Sequence, residues 1–224
     1  MTDTGPASLP PESDAGSDDL RGQLSRVGRD VVSAGLVVGA GGNLSARTPG
    51  SDSCWVTVAG TWLDRLDRSS FVAVSIADGS VVPTHSASRG VPTSEVALHL
   101  ATYRARSDVQ AIVHLHPQTA LLLDALDERI RLVTTDHAFY LRRVGVVDYF
   151  PPGTQELASA AAQAAADGTN CFVLRRHGCS VLADSVDLAH KRARNLEEAA
   201  LLTYRALAVG RASSLDDLPP PALA

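Results

Sequence analysis

The chain has 224 residues, of which 45% are hydrophobic and only 4% aromatic, and its formal net charge is -5. This length and apolar content favour a single domain with a core of aliphatic side chains. Charges of both signs are interspersed, so the chain lacks the basic stripe that would neutralise a phosphate backbone. We therefore expect no nucleic-acid partner.

The two ends of the chain differ in composition from the middle. Residues 1–17 are acidic and rich in proline, serine and glycine, which predicts a disordered leader and does not resemble a secretory signal. No run of about 18 apolar residues, the length that spans a membrane, is present. The three cysteines are odd in number and form no C-x-x-C pair, which argues against disulfides. We expect a cytoplasmic protein without membrane contact, with one domain over residues 18–210 and a flexible tail over 211–224.

Hydrophobic spacing and capping residues predict a mixed order of helices and strands. The first helix is predicted to begin near residue 18 or 19, because apolar residues recur at spacings of three and four: Leu20, Leu24, Val27 and Val31. Three glycines, Gly39, Gly41 and Gly42, are interpreted as a turn whose backbone amides are open to an anion. Strands are predicted at 54–59, 71–76, 109–116 and 171–176, and helices at 95–106, from Thr154 to near Gly168 and from Ser185 to Gly210.

Two histidines are spaced for metal binding. His114 and His116 lie two residues apart in a predicted strand, which places both imidazoles on one face. Since a catalytic metal usually has three protein ligands, the pair by itself is weak evidence, and ordinary hydrogen-bonded histidines are the alternative. His177, at the end of the predicted strand 171–176, is the candidate third ligand, with a surface histidine as its alternative.

A carboxylate opens the helix that precedes the histidine strand. Glu95 can therefore lie beside the metal as a ligand or a general base. Its alternative is a first-turn glutamate interacting with the helix dipole, just as Thr93 and Ser94 can be simple helix caps. His99, one turn further on, is interpreted as a packed or supporting residue, and His85 as structural.

Five short motifs stand in the order seen in one protein family: GGNLSAR at 41–47, AGTWLDRL at 59–66, PTSEVALH at 92–99, HLHP at 114–117 and RRHG at 175–178. Over roughly residues 20–210 the chain resembles the class II aldolase and adducin-like family. That family includes L-fuculose-1-phosphate aldolase, L-ribulose-5-phosphate 4-epimerase, and related dehydratases and decarboxylases. The resemblance implies an α/β fold, a three-layer α/β/α sandwich around a mostly antiparallel sheet, assembled as a homotetramer with sites between subunits.

The resemblance also implies a metal centre. It predicts a catalytic Zn²⁺, with Mn²⁺, Co²⁺ or Fe²⁺ as alternatives, held by His114, His116, His177 and Glu95. Glu95 matches the carboxylate that moves between the metal and the substrate carbon as general base. A divalent cation there stabilises the negative charge of an enediolate.

The substrate's phosphate has a predicted site in the same motifs. In the phosphorylated-sugar members the phosphate lies against residues that match Gly42, Asn43, Gly60, Thr93 and Ser94. Ala59 stands where those members carry a threonine, so one hydroxyl donor is missing. A non-phosphorylated substrate is the alternative.

The acid/base group that serves the leaving alkoxide has two candidates. The region 134–145 corresponds to the one that, in relatives, delivers an acid/base group into the neighbouring subunit's site. Asp136 or His137 is the candidate, and a structural role as loop polar residues is the alternative. Family aldolases also use a tyrosine from a C-terminal tail, but no tyrosine follows Gly210 in this chain.

We therefore expect a zinc-dependent lyase of carbohydrate metabolism, a class II aldolase acting on a small-molecule sugar or sugar phosphate. It would cleave a ketose phosphate resembling L-fuculose 1-phosphate to a fragment of the dihydroxyacetone-phosphate type and an aldehyde. Glutamate at position 95 favours the aldolase over the epimerase, which carries aspartate there. The alternatives are the 4-epimerase, a dehydratase or decarboxylase, and a non-catalytic adducin-like scaffold, against which the intact histidines argue.

Overall fold

A computed structural model of the chain describes residues 19–83 and 90–220. The predicted leader, residues 1–17, and His85 lie outside these ranges. One seven-stranded sheet forms the middle layer, and helices cover both of its faces. This is the three-layer α/β/α arrangement that the family resemblance implies, and the expected fold class is confirmed.

The strands are β1 (Asn43–Ala46), β2 (Ser53–Thr57), β3 (Phe71–Ser75), β4 (Ala111–Leu115), β5 (Gly145–Val147), β6 (Cys171–Leu174) and β7 (Gly178–Ala183). The helices are α1 (Leu20–Ser33), α2 (Val96–Ala105), α3 (Gln118–Ala125), α4 (Gln155–Ala165) and α5 (Val186–Ala208). The strand order is β3-β2-β1-β4-β7-β6-β5, and every pair is antiparallel except β5 with β6. Among the described residues, no helix is long and apolar enough to cross a membrane.

Alternation along the strands divides the apolar side chains between two cores. Val113 and Leu115 of β4 pack in the core beneath α1, α3 and α5. Ile112 packs in the second core, beneath α2 and α4. Because the side-chain period of a strand is two, His114 points to the same face as Ile112. The central strand therefore directs its histidine towards α2.

Capping residues begin three of the helices where the sequence predicts. The side chains of Asp19, Thr154 and Ser185 each accept a hydrogen bond from the first turn of α1, α4 and α5. Each carboxylate or hydroxyl satisfies a backbone N–H that has no partner within its helix. These three predicted helix starts are confirmed.

Four elements of the structure are not predicted from the sequence: β1, α3, β5 and β7. The strand predicted at 171–176 ends at Leu174, and the loop Arg175–His177 turns the chain into β7. Strand β1 directly follows the glycines interpreted as a turn. Both β1 and β7 are buried along their whole length, so neither shows the alternation of polar and apolar residues that marks a half-exposed strand.

Part of the predicted flexible tail makes defined contacts. Asp217 accepts a hydrogen bond from the backbone N–H of Leu132 at 2.8 Å and pairs with Arg129. The N–H of Leu218 donates to the carbonyl of Leu132, also at 2.8 Å. Residues 221–224 lie outside the described ranges, and the flexibility of the tail stays a prediction.

Candidate metal centre

The fold brings four potential metal ligands together from three parts of the chain. His114 lies on β4 and His116 directly after it, His177 lies in the loop between β6 and β7, and Glu95 stands at the N-cap of α2. Each offers one ligand atom, and these atoms all lie within 4.8 Å of one another. The structure thus places side by side the four residues that the sequence predicts as metal ligands.

The distances within this cluster are short. The Nε2 atom of His114 lies 3.0 Å from Oε2 of Glu95 and 3.2 Å from Nε2 of His116. On the other side, Nε2 of His177 lies 3.0 Å from Oε1 of Glu95. His114 is completely buried and Glu95 is 6% exposed, so the cluster is largely withdrawn from water.

Glycines allow the backbone to approach the histidine rings. A Cβ atom on Gly178 would lie 2.6 Å from Cδ2 of His116 and 2.7 Å from the carbonyl oxygen of Leu115. Gly42 has a φ of +82°, and a Cβ atom there would lie 2.6 Å from the carbonyl oxygen of His114. No other residue type fits at these positions without a shift of the surrounding chain. The requirement for Gly178 is not predicted from the sequence.

The start of α2 is positioned by the end of β2. The N–H of Ala59 donates to the carbonyl of Val91, and the N–H of Thr93 donates to the carbonyl of Thr57. Glu95 then occupies the N-cap position, but its side chain makes no capping hydrogen bond. Its carboxylate lies beside His114 and His177, so the alternative of a glutamate that only interacts with the helix dipole does not describe this position.

Burial and neighbouring charge set the protonation states in the cluster. Burial would raise the pKa of Glu95, but hydrogen bonds and charge interactions with His114 and His177 outweigh it and hold that pKa well below its usual range. Burial, assisted by His114 and His177, lowers the pKa of His116 to about 4. A neutral imidazole has a free lone pair, so His116 is able to ligate a cation at neutral pH.

The residues present fit a divalent metal ion. Ligands at about 2.0–2.1 Å around a tetrahedral Zn²⁺ lie about 3.4 Å apart, which is close to the separations found here. The Nε2 atoms of His114 and His116 face each other, which is repulsive for two neutral acceptors unless a proton or a cation lies between them. Oε1 of Glu95 is buried and faces Nε2 of His177, a second potential metal ligand. The donor set of imidazoles and a carboxylate is one that zinc accepts.

A buried carboxylate supports the turn that carries His177. The backbone N–H of Arg176, whose φ is +58°, donates to Oδ2 of Asp124 at 2.8 Å. The other oxygen of Asp124 lies 3.4 Å from Nη1 of Arg175. Asp124 is 7% exposed. Nothing in the sequence around this residue, an acid in an unpredicted helix, indicates such a role.

A cleft of about 300 Å³ opens beside the cluster, and Glu95, His116 and His177 form part of its wall. The predicted phosphate-binding residues all line the same cleft: Gly42, Asn43, Gly60, Thr93 and Ser94. Ala59 lines it too. Within the described part of the chain, the N–H groups of Gly42, Gly60 and Ser94 donate to no protein acceptor. The cleft therefore offers unpaired amide donors next to the candidate metal centre.

Asp136 and His137 lie away from this cleft in the same chain. His137 begins a single turn of π-helix, His137–Leu141, and its side chain is completely buried with Nε2 3.6 Å from Glu198 of α5. Asp136 is exposed. The predicted role of either residue in a neighbouring subunit's site stays a prediction, and Asp136 is the one whose side chain is accessible.

Comparisons with known proteins agree with the fold. A profile of the family described as class II aldolase and adducin N-terminal domain matches residues 22–204. An L-fuculose phosphate aldolase from Methanocaldococcus jannaschii is 32% identical over 187 residues, which cover 84% of this chain and 97% of that protein. A 3-oxo-tetronate 4-phosphate decarboxylase from Escherichia coli K12 is 34% identical over 190 residues, which cover 83% of this chain and 86% of that protein. The crystal structure of an L-fuculose-1-phosphate aldolase from Thermus thermophilus matches with a TM-score of 0.72 and 27% identity, covering 91% of this chain and 98% of that chain. The chain belongs to the class II aldolase and adducin N-terminal domain family.

Proposed function

We propose that this chain is a zinc-dependent aldolase that cleaves a ketose 1-phosphate of the L-fuculose 1-phosphate type to dihydroxyacetone phosphate and an aldehyde. One observation carries the proposal: Glu95, His116 and His177 line a cleft whose wall also offers unpaired backbone amides. The names of the aldolase relatives support the same reaction. The proposal includes a cytoplasmic location and a homotetramer.

In this reaction His114, His116 and His177 would hold the ion, with Glu95 as a fourth group that is free to leave. When bound, the ion supplies positive charge that stabilises the negative charge developing on the substrate's carbonyl oxygen. The near-complete burial of His114 and the low exposure of Glu95 exclude water, which strengthens every electrostatic interaction in the site.

Glu95 is the proposed proton carrier. In cleavage, the bond between C3 and C4 breaks, its electron pair passes into the carbonyl group as an enediolate, and the C4 hydroxyl loses its proton to become an aldehyde. In cleavage Glu95 first takes up a proton from water and then delivers it to C3, and in the synthetic direction its ionised carboxylate removes that proton. The lowered pKa of Glu95 keeps it ionised, which is the state a base needs. The group that takes the C4 hydroxyl proton is proposed to be Asp136 or His137 of an adjacent subunit.

The substrate's phosphate is proposed to bind at the amides of Gly42, Gly60 and Ser94. Backbone N–H groups in turns, outside regular secondary structure, can together bind an anion. The hydroxyl of Ser94 is exposed and makes no hydrogen bond with a described residue, so it can donate as well. Thr61 lines the cleft but donates to the carbonyl of Val58 at 2.8 Å, so it does not replace the donor that Ala59 lacks.

A decarboxylase is the second candidate, because the Escherichia coli relative with that name is 34% identical to this chain. Loss of carbon dioxide beside a carbonyl group leaves the same negative charge on oxygen that cleavage leaves. The histidine cluster suits both reactions, and Glu95 would serve as the acid that protonates the carbon. Only the group that departs from the substrate differs.

The test is exchange of the carbon-bound protons of dihydroxyacetone phosphate in deuterated water, followed by NMR. We expect rapid exchange with zinc-loaded protein, and none with chelated protein or with Glu95→Gln. Glu156→Gln is the matched control, because Glu156 is an exposed first-turn glutamate of α4, and it should exchange at the parental rate.

A fully metallated protein that exchanges no proton would contradict the aldolase proposal. Release of carbon dioxide from a phosphorylated 3-oxo acid by the same preparation would then favour the decarboxylase. A protein that retains no divalent ion, and whose His116→Ala variant behaves as the parent in both assays, would favour a non-catalytic scaffold.

A further inference from the structure

A chain of buried hydrogen bonds leads from Glu95 away from the cleft. Nδ2 of Asn43 donates to Oε2 of Glu95 at 2.9 Å, and Oδ1 of Asn43 lies 2.5 Å from Nε2 of His99. The other ring nitrogen of His99, Nδ1, lies 2.6 Å from Oγ of Ser45, which lies 2.8 Å from the hydroxyl of Tyr103. All five residues are at most 6% exposed.

Two regular elements place these side chains in register. Glu95, His99 and Tyr103 are spaced by four residues along the start and body of α2, so they lie on one face of the helix. Asn43 and Ser45 are spaced by two on β1 and therefore point to the same face of the sheet. The helix face packs against the strand face, so residues of α2 and β1 alternate along the hydrogen-bond chain. These polar side chains can be buried because each one has a hydrogen-bond partner in the chain.

The direction of each hydrogen bond follows from the one before it. An ionised carboxylate only accepts, so the amide NH₂ of Asn43 faces Glu95 and its carbonyl oxygen faces His99. The carbonyl oxygen needs a donor, which requires His99 to carry its proton on Nε2. Nδ1 of His99 then accepts from the hydroxyl of Ser45, and Ser45 accepts from Tyr103. Burial, assisted by His114, lowers the pKa of His99 to about 3, which agrees with the neutral ring.

We propose that His99 is a positioning residue for Glu95: as its Nε2–H tautomer it fixes the orientation of the Asn43 amide, which in turn holds one oxygen of the Glu95 carboxylate. This inference rests on the proposed function, in which Glu95 carries the proton. Asn43 without His99 can rotate its amide and turn its carbonyl oxygen towards Glu95, which is repulsive between two acceptors. Loss of this positioning should therefore slow the proton transfer that Glu95 performs, with less effect on the binding of substrate.

This arrangement also bears on the predicted phosphate site. Both polar groups of the Asn43 side chain are engaged, one with Glu95 and one with His99. An anion in the cleft would therefore meet backbone amides there, while the Asn43 side chain stays with the base.

The direct test is the tautomer of His99 in the zinc-loaded full chain labelled with ¹⁵N-histidine, read from long-range ¹H–¹⁵N correlations at neutral pH. We expect the His99 ring to be neutral with its proton on Nε2. A proton on Nδ1, or a doubly protonated ring, would overturn the proposal. This spectrum requires no activity, so it is informative even where no substrate is turned over.

The functional test compares kcat and KM for proton exchange in three variants. His99→Leu should lower kcat about 10-fold to 100-fold with little change in KM, as the loss of groups that orient a reacting residue does. His99→Gln should recover most of kcat, because its amide can donate to Asn43 and accept from Ser45. Thr102→Val is the control, since Thr102 is buried on the same helix but donates only to the carbonyl of Leu98, and its kcat should be unchanged.

A folded His99→Leu variant with the kcat of Thr102→Val would overturn the positioning role, and so would a His99→Gln variant as slow as His99→Leu. Thermal melting establishes whether each variant folds. If His99→Leu does not fold, the kcat of His99→Gln and the tautomer of His99 decide the positioning role. If the parental protein itself does not exchange the protons of dihydroxyacetone phosphate, the proposed function is contradicted instead. The tautomer alone would then decide the role of His99.

Discussion

His99 links the buried hydrogen-bond chain to the stability of the fold, because its protonation differs between the folded and unfolded states. Burial lowers its pKa to about 3 from the ordinary value of 6.5. Below pH 6.5 the unfolded chain therefore binds a proton at this residue that the folded chain does not bind. Since the unfolded state holds more protons, the free energy of unfolding falls as the pH is lowered, by up to about 1.4 kcal/mol per pH unit.

We expect this dependence to be weaker in His99→Gln, which has no titrating group at this position. The measurement is denaturant unfolding of chelated protein at neutral pH and near pH 5, for the parent and the variant. Between neutral pH and pH 5, the free energy of unfolding of the parent should fall by more than that of the variant. An equal loss of stability on acidification in both proteins would show that His99 is already charged when folded.

Gly178 is a second residue whose substitution has a specific expected result. In Gly178→Ala the new methyl group meets the ring of His116 and the carbonyl of Leu115 at under 3 Å. We expect a loss of about 1–3 kcal/mol of unfolding free energy, together with weaker zinc binding because His116 is displaced. The measurements are thermal unfolding and competition for zinc with a coloured chelator.

Gly50→Ala is the control for this substitution. Gly50 has a φ of +75°, but a methyl group added to it would have no described atom within 4 Å. Alanine there costs roughly 1–2 kcal/mol of backbone strain without touching a histidine. It should lower stability and leave zinc affinity unchanged. Equal zinc affinities in the two variants would contradict the role assigned to Gly178.

At the scale of elements, the candidate metal centre depends on how the loop between β6 and β7 is held. Arg176 occupies the left-handed region with a φ of +58°, a conformation that costs about 1–3 kcal/mol for a residue other than glycine. Asp124 at the end of α3 stabilises this conformation through the backbone N–H of Arg176. Helix α3 therefore determines where His177 lies.

Asp124→Ala should destabilise the protein by about 1–3 kcal/mol, because the N–H of Arg176 loses a charged acceptor, and should also weaken zinc binding through the displaced His177. Asp127→Asn is the matched control: Asp127 also pairs with Arg175, but its side chain is 84% exposed. Exposed ion pairs contribute little, and asparagine tolerates the φ of +58° found there. Denaturant unfolding and zinc competition compare the two, and identical results would contradict the role of Asp124.

At the scale of the whole molecule, an ion bound at the cluster would join three separate parts of the chain. His114 and His116 belong to the centre of the sheet, Glu95 to α2, and His177 to a loop between two further strands. An ion that binds only the folded chain stabilises it according to its concentration and affinity, by about 2.7 kcal/mol at 100 times the dissociation constant. Folding and metal binding are thus coupled.

We expect zinc to raise the melting temperature of chelated parental protein, and the rise to be lost in His177→Ala. His190→Gln, which changes a histidine of α5 outside the cluster, should keep the full rise. Differential scanning calorimetry at several zinc concentrations provides the measurement. An equal rise in His177→Ala would place the stabilising ion at some other site.

The local features of this protein were determined by its amino-acid sequence alone. Asp19, Thr154 and Ser185 begin helices because a side-chain oxygen reaches its own first turn, and no distant contact is needed. The pair His114 and His116 shares a face because the side-chain period of a strand is two. The ordered motifs indicated the family from the sequence alone, because each motif is a run of consecutive residues.

Only the tertiary structure decided which distant residues meet. The order of the strands places β1 and β7 on either side of β4, and this brings Asn43 and the loop carrying His177 to the same end of that central strand. That order depends on the packing of three helices on one face and two on the other, which no local pattern encodes. The contact of Glu95 with His177, the tautomer inferred for His99 and the support from Asp124 all follow from pairings between segments far apart in the chain.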